Sequence, residues 1–229
     1  MATAAKHDEH DDHHGHGHHE HLAHHFFDLS QQHESLKFGM WLFLVTEILL
    51  FGGLFCFYAI YRAWYPEMFI DAHKQLNVLM GGVNTLVLIT SSLTVALAIR
   101  ACQKNNAKQA ATLLIVTIAC AGIFLVIKYF EYSHKFHLGL LPGKFFSPAE
   151  GVIIHGTDPQ IFFSIYFTMT GLHGLHVIFG IIFLSYCTYN CLKGKYSDQY
   201  YTPIECGGLY WHLVDLIWIY LFPLLYLIG

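Results

Sequence analysis

Charged side chains are scarce in this chain: Asp, Glu, Lys and Arg make up 12% of its 229 residues, against a hydrophobic share of 55%. The apolar residues fall in long blocks and not in an amphipathic scatter, which excludes an ordinary soluble globule and places the chain in the membrane class. Short, strictly alternating apolar segments are also missing, and this excludes a membrane β-barrel. No stretch between the blocks leaves room for a soluble domain. The first 35 residues contain no apolar h-region, so no signal peptide is visible. Proline is nearly absent from the blocks. Pro66, Pro142, Pro148, Pro159 and Pro203 lie outside them, and Pro223 alone lies inside one, where a kink near the end of the last block is tolerable.

About 20 apolar residues span a bilayer as a helix. Five stretches qualify: 38–63, 77–99, 110–130, 160–189 and 208–228. The expected fold is all-α, an integral membrane bundle of five transmembrane helices over residues 36–229, with a disordered His-rich tail over residues 1–35. A loop near 64–76, a turn at 100–109, an irregular segment at 131–159 and a connection at 190–207 join the spans. Lys6, Lys37, Arg100, Lys104, Lys108, Lys193 and Lys195 fall on one side, against Arg62, Lys74, Lys135, Lys144 and the nearby Lys128 on the other. The richer side is read as cytoplasmic, which puts the N-terminus inside and the C-terminus outside.

Ten of the eighteen histidines lie between His7 and His25, interleaved with acids and glycines. Such a tract binds divalent metals, with His13, His14, His16, His18 and His19 as the candidate ligands, or collects protons at the membrane surface, or merely solubilises. The six cysteines lie mostly within or at the inner ends of spans, which argues against a disulfide framework. Cys187 and Cys191 are four apart, but no His or Met follows at ligand spacing, so they read as small residues packing on one face.

Each ionisable side chain inside a bilayer is costly and needs a function or a partner. Only a few are present: Glu47, His173, His176, His212 and Asp215, with Lys128 and Glu131 at the outer end of the third span. At about 1.5 Å per residue the first five all fall in the inner or middle part of the membrane. His173 with His176, and His212 with Asp215, are three apart and share helix faces. Gly171, Gly174 and Gly180 flank one pair and Gly207 and Gly208 the other, which allows close helix approach. The five residues are expected to form one polar seam. Its histidines either ligate metal or haem, relay protons, or fix the packing by interhelical hydrogen bonds. A carboxylate as deep as Glu47 must be protonated, hydrogen-bonded or paired.

The stretches KFGMWLFLVTEILLFGGLFCFYAIYR, VNTLVLITSSLTVALA, FEYSHKF, TGLHGLHVIFG and ECGGLYWHLVDLIWIYLFPLLYL occur in this order. Over residues 37–229 the chain resembles subunit III of the haem-copper oxidases, and specifically of the cytochrome c oxidases. The resemblance implies an accessory subunit of a proton-pumping terminal oxidase that reduces oxygen to water in aerobic respiration. It implies that Glu47 occupies the position of a carbodiimide-sensitive membrane carboxylate. It further implies no haem or copper in this chain, both being carried by partner subunits, packing on the catalytic subunit I beside subunit II, and bound structural phospholipids. Support of proton uptake by the D pathway and protection against inactivation during turnover are implied as well, and nucleic acid has no part. The location implied is a bacterial inner membrane.

Mitochondrial-type members have seven helices, and the first span here matches their third; the family's lipid cleft lies between the first two helices and the rest, so the form it takes here is open, with partner helices from an extended subunit I one way to fill that side. A five-helix quinol-oxidase branch is the alternative, and Glu47 with Glu205, directly before CGGLYWH, favours cytochrome c. A reading of another class is a metal-ion transporter whose His176, His212 and Asp215 converge on an ion. In the oxidase reading, Glu47 and a neighbouring His or Asp shape the cytoplasmic side of proton uptake, and the imidazole-rich tail raises proton capacity there.

Overall fold

The computed structural model describes residues 26–148, 158–197 and 200–227. The expected disorder of the tail, and its candidate metal ligands, lie outside these residues except for the tail's last ten positions. Helix α1 runs over Leu29–Trp64 and so begins inside the stretch read as tail. Its start is set by Asp28, whose carboxylate accepts from the Gln31 amide at 2.6 Å and from the Ser30 hydroxyl at 2.9 Å. These bonds satisfy groups that a helix end leaves open. With nothing buried around it, the Asp28 carboxyl is held below the usual carboxylate range, first by the Gln31 amide and then by Ser30.

Tyr65 ends α1 because it precedes Pro66, whose ring pushes the preceding residue out of the helical region. Pro66 then opens the short helix α2, Pro66–His73, within a segment the hydropathy pattern read as a loop. Eight residues are too few for a span, but Met68, Phe69 and Ala72 are buried, and Phe69 meets Phe162 edge to face at 5.3 Å. Helix α3, Val78–Gln103, is capped by Asn77, and α4, Ala107–His137, by Asn106. Between them Asn105 takes a left-handed conformation (φ 58°), which a short amide side chain tolerates. The hairpin closes in three residues.

Helix α5, Gln160–Leu192, and helix α6, Thr202–Phe222, complete the five spans. A π-helical turn, Pro223–Leu227, follows α6: proline offers no amide hydrogen, so the regular ladder cannot continue through it. The kink expected from Pro223 takes this form. In the segment 131–159, helix α4 continues to His137 before a 3₁₀ turn at Gly143–Phe145.

The five helices are unequal in role. In its most apolar window α6 is 56% buried and α1 only 17%, so α6 is the axis of the bundle and α1 a peripheral rib. Trp211 and Trp218 of α6 are fully buried, whereas α1 exposes Trp41, Leu49 and many other large apolar residues. An exposed apolar surface of this extent fits lipid or partner helices, not water. Close packing is achieved by rings lying on glycine. A Cβ at Gly180 would come within 2.6 Å of the Trp211 ring, and one at Gly208 within 2.6 Å of Ile99.

Candidate functional site

Of the five residues expected to form one seam, only Glu47 and His176 bond each other directly. Glu47 Oε2 on α1 lies 2.8 Å from His176 Nε2 on α5, with both side chains largely buried. The other imidazole nitrogen, Nδ1, is 2.8 Å from the Leu172 carbonyl one turn earlier. The ring is further fixed by Phe51, edge-on at 5.2 Å, and the Tyr210 hydroxyl donates to the His176 carbonyl at 2.9 Å. The pair opens onto a groove of about 690 Å³ between α1, α5 and α6, lined by Phe43, Phe179, Ile182, Phe183 and Tyr210.

His212 makes a different bond. Its Nδ1 lies 2.6 Å from Ser92 Oγ on α3, and the same serine serves the Asp215 carboxyl. Asp215 Oδ1 is buried without a hydrogen-bond partner. His173 is fully enclosed, its ring 5.2 Å from Trp218 and 5.5 Å from Phe124, and neither ring nitrogen has a partner. The single seam thus resolves into a carboxylate–imidazole pair, a serine-centred cluster and an imidazole held by aromatic rings. Helix depth brings the residues to similar levels, but rotation about each axis turns them toward different neighbours. Among the described residues no group of three His, Cys, Asp or Glu side chains is arranged to hold a metal ion. His176, His212 and Asp215, one example of the coordinating set that ion transport calls for, accordingly do not converge.

A second polar centre lies in the other half of the bundle. Lys128 Nζ on α4 donates to Glu131 Oε2 at 3.0 Å, to the Tyr226 hydroxyl at 2.8 Å and to the Tyr166 hydroxyl at 3.3 Å. The tyrosine hydroxyls donate in turn to Glu131 Oε1, at 2.6 Å from Tyr226 and 3.0 Å from Tyr166. Lys128 also sits over the Trp218 ring, 4.9 Å from its centroid. Nearby, Lys135 is 1% exposed and donates to the Gln75 carbonyl at 3.1 Å. Charges at such depth survive only when their hydrogen-bonding capacity is met. Lys128 and Glu131 stand out in the sequence, one helical turn apart; Tyr166 and Tyr226 do not, among fourteen tyrosines.

Residues 17–229, all of the membrane domain and part of the tail, match the profile of the family cytochrome c oxidase subunit III. The chain belongs to that family. It is 35% identical over 198 residues to a cytochrome c oxidase subunit 3 of Synechocystis, covering 86% of this chain and 77% of the relative. It is 32% identical over 194 residues to a cytochrome bo(3) ubiquinol oxidase subunit 3 of Buchnera aphidicola, covering 84% and 93%. It is 27% identical over 206 residues to a haem-copper oxidase subunit I+III of Aeropyrum pernix, covering 85% of this chain and 23% of that longer one. As a member of the subunit III family the chain is an accessory, multi-pass membrane subunit of a haem-copper oxidase complex, an oxidoreductase. The family resemblance drawn from the five motifs is therefore correct.

Proposed function

We propose that this subunit III serves a proton-pumping cytochrome c oxidase in a bacterial inner membrane. In this reading the N-terminus is cytoplasmic, the bundle packs on subunit I, and the chain supports proton uptake on the cytoplasmic side. The observation that carries the reading is the Glu47–His176 contact at 2.8 Å: a titratable pair kept inside the membrane, at the edge of an apolar groove. The Lys and Arg distribution supports the orientation. The fused subunit I+III of Aeropyrum pernix supports subunit I as the partner, since two proteins joined in one chain elsewhere are held together by design. The groove beside Glu47, and a second of about 490 Å³ between Leu54, Tyr61, Ile165 and Met169, suit phospholipid chains. Haem and copper belong to the partner subunits.

Two features favour cytochrome c as donor: Glu47 itself, and Glu205, which forms an ion pair with Lys37 at 3.0 Å where α6 meets α1. The second reading, a quinol oxidase, is favoured by the bo(3) relative and by the five-helix form. Isolating the chain with its partners, recording the haem spectrum and comparing turnover on reduced cytochrome c and on quinol separates the two. The proton-uptake role is tested by Glu47→Gln and by deletion of residues 7–25. Both should lower turnover more at high pH than at low pH, and unchanged pH profiles in both would reduce the chain to a scaffold.

A further inference from the structure

Polar contacts fasten α1 to the bundle at three levels: Lys37 to Glu205 at 3.0 Å, Glu47 to His176 at 2.8 Å, and the Tyr58 hydroxyl donating to the Leu224 carbonyl at 2.6 Å. Most of the apolar surface of the helix faces outward, and Leu44, Phe51 and Tyr58 are its buried apolar side chains among the described residues. The middle contact differs from the others because its chemistry depends on a count of protons.

That count follows from the Leu172 carbonyl. A carbonyl oxygen only accepts, so the His176 Nδ1, 2.8 Å away, carries a hydrogen. Nε2 and Glu47 Oε2 then face each other at 2.8 Å. With no hydrogen between them, two lone pairs oppose; with two, an O–H and an N–H collide. One hydrogen satisfies the distance, either as a carboxyl donating to neutral imidazole or as an imidazolium donating to carboxylate. Both arrangements are neutral overall. We infer that Glu47 and His176 hold a single proton between them, and that this proton is the clasp that fastens α1 to α5 inside the membrane.

Neutrality accounts for an ionisable pair at the wall of a groove lined by Phe43, Phe179, Ile182 and Phe183, where a net charge would be severely penalised. The titratable groups lining the groove beside the pair are Tyr210 and Cys206 from α6 and Tyr186 from α5; His173 of α5, though turned toward Trp218 and Phe124, is close enough to His176 to feel its charge. Lys37 of α1 and Glu205 of α6 are themselves paired, at 3.0 Å. Removing the shared proton leaves two acceptors in contact, and α1 separates from α5 at this level. The proton inventory goes beyond the uptake role and stands whether or not the pair passes protons to a partner.

The test compares the intact complex with wild-type chain and with Glu47→Gln, by amide hydrogen exchange of α1 peptides around position 47 across a pH series. A glutamine amide donates to Nε2 and cannot lose its proton, so its clasp stays shut. The two proteins should exchange alike at the acid end, and wild type should open at least about tenfold more often at the alkaline end. Equal exchange at every pH overturns the inference. A second measurement needs no variant: in complex labelled with ¹⁵N-histidine and ¹³C-glutamate, the imidazole coupled to a glutamate carboxyl should show a protonated Nδ1. An unprotonated Nδ1 there also overturns it. Neither experiment reads turnover, so failure here leaves the proton-uptake role to its own test.

Discussion

Replacing Glu131 by Leu removes the only carboxylate touching the buried Lys128 among the described residues, and the cost can be worked from the contacts. Lys128 is 7% exposed, so its ammonium would lose its counter-ion without gaining water. Breaking a buried pair on one side typically costs about 3–5 kcal/mol. The Trp218 face and the two tyrosine hydroxyls stay against the ammonium, which sets the cost toward the lower end of that range. A loss of about 3 kcal/mol is therefore expected for Glu131→Leu. Tyr226→Phe deletes the hydrogen bond to the carboxylate and the one accepted from Lys128 but leaves both charges paired, so about 2–3 kcal/mol is expected. The decisive variant is the double change, Lys128→Met with Glu131→Leu. It removes both charges together and should lie within about 1.5 kcal/mol of wild type, because apolar residues of similar volume replace a buried pair at little cost. Unfolding by SDS in mixed micelles, followed by the fluorescence of the tryptophans, measures all three. A double variant at least as unstable as Glu131→Leu alone would refute the pairing, and so would a Glu131→Leu loss below about 1 kcal/mol.

Other substitutions test the packing and the caps. Gly180→Ala should cost about 1–3 kcal/mol in the same assay, because the new methyl meets the Trp211 ring at 2.6 Å, whereas Gly174→Ala, with open space around it, should be neutral or stabilising. Ser92→Ala should cost about 1–3 kcal/mol by stranding His212 Nδ1 and an Asp215 oxygen, and a thermal melt indistinguishable from wild type would remove Ser92 as their link. The Asp28 cap has a sign that can be worked out. Its carboxyl titrates lower in the fold than in the unfolded chain, so its stabilisation is complete above the unfolded value and is lost as pH falls through the folded one. Acid should fray the first turn of α1, as read by amide exchange, and Asp28→Asn should keep the cap while abolishing the pH dependence.

Hydropathy located the five spans because oil tolerates little else, and every apolar block lies on a helix, but α1 begins about nine residues before its block, α4 ends about seven after and α6 begins about six before. The helix ends were less legible, since Asp28, Asn77 and Asn106 act through one or two side-chain bonds that leave no trace in average polarity. Helix α2 escaped because an eight-residue amphipathic turn is too short for any window that detects spans. Among the polar residues, depth was readable and azimuth was not. Glu47 and His176 meet as expected, but His173, one turn from His176, faces Trp218 and Phe124. The glycines near the histidine pair differ in the same way: Gly180 receives an aromatic ring and Gly174 receives nothing. Which face of a helix turns inward depends on neighbours distant in the chain, and one sequence carries no record of them.

The peripheral position of α1 has a consequence for biosynthesis. The ribosome delivers this helix before the elements on which its fastenings lie: His176 on α5, Glu205 on α6, and the Leu224 carbonyl in the π turn after α6. Until those arrive, Glu47 waits in the bilayer without its imidazole. A chain cut short before position 176 would carry an unclaimed acid in lipid, a mark by which quality control can distinguish unfinished subunits from finished ones.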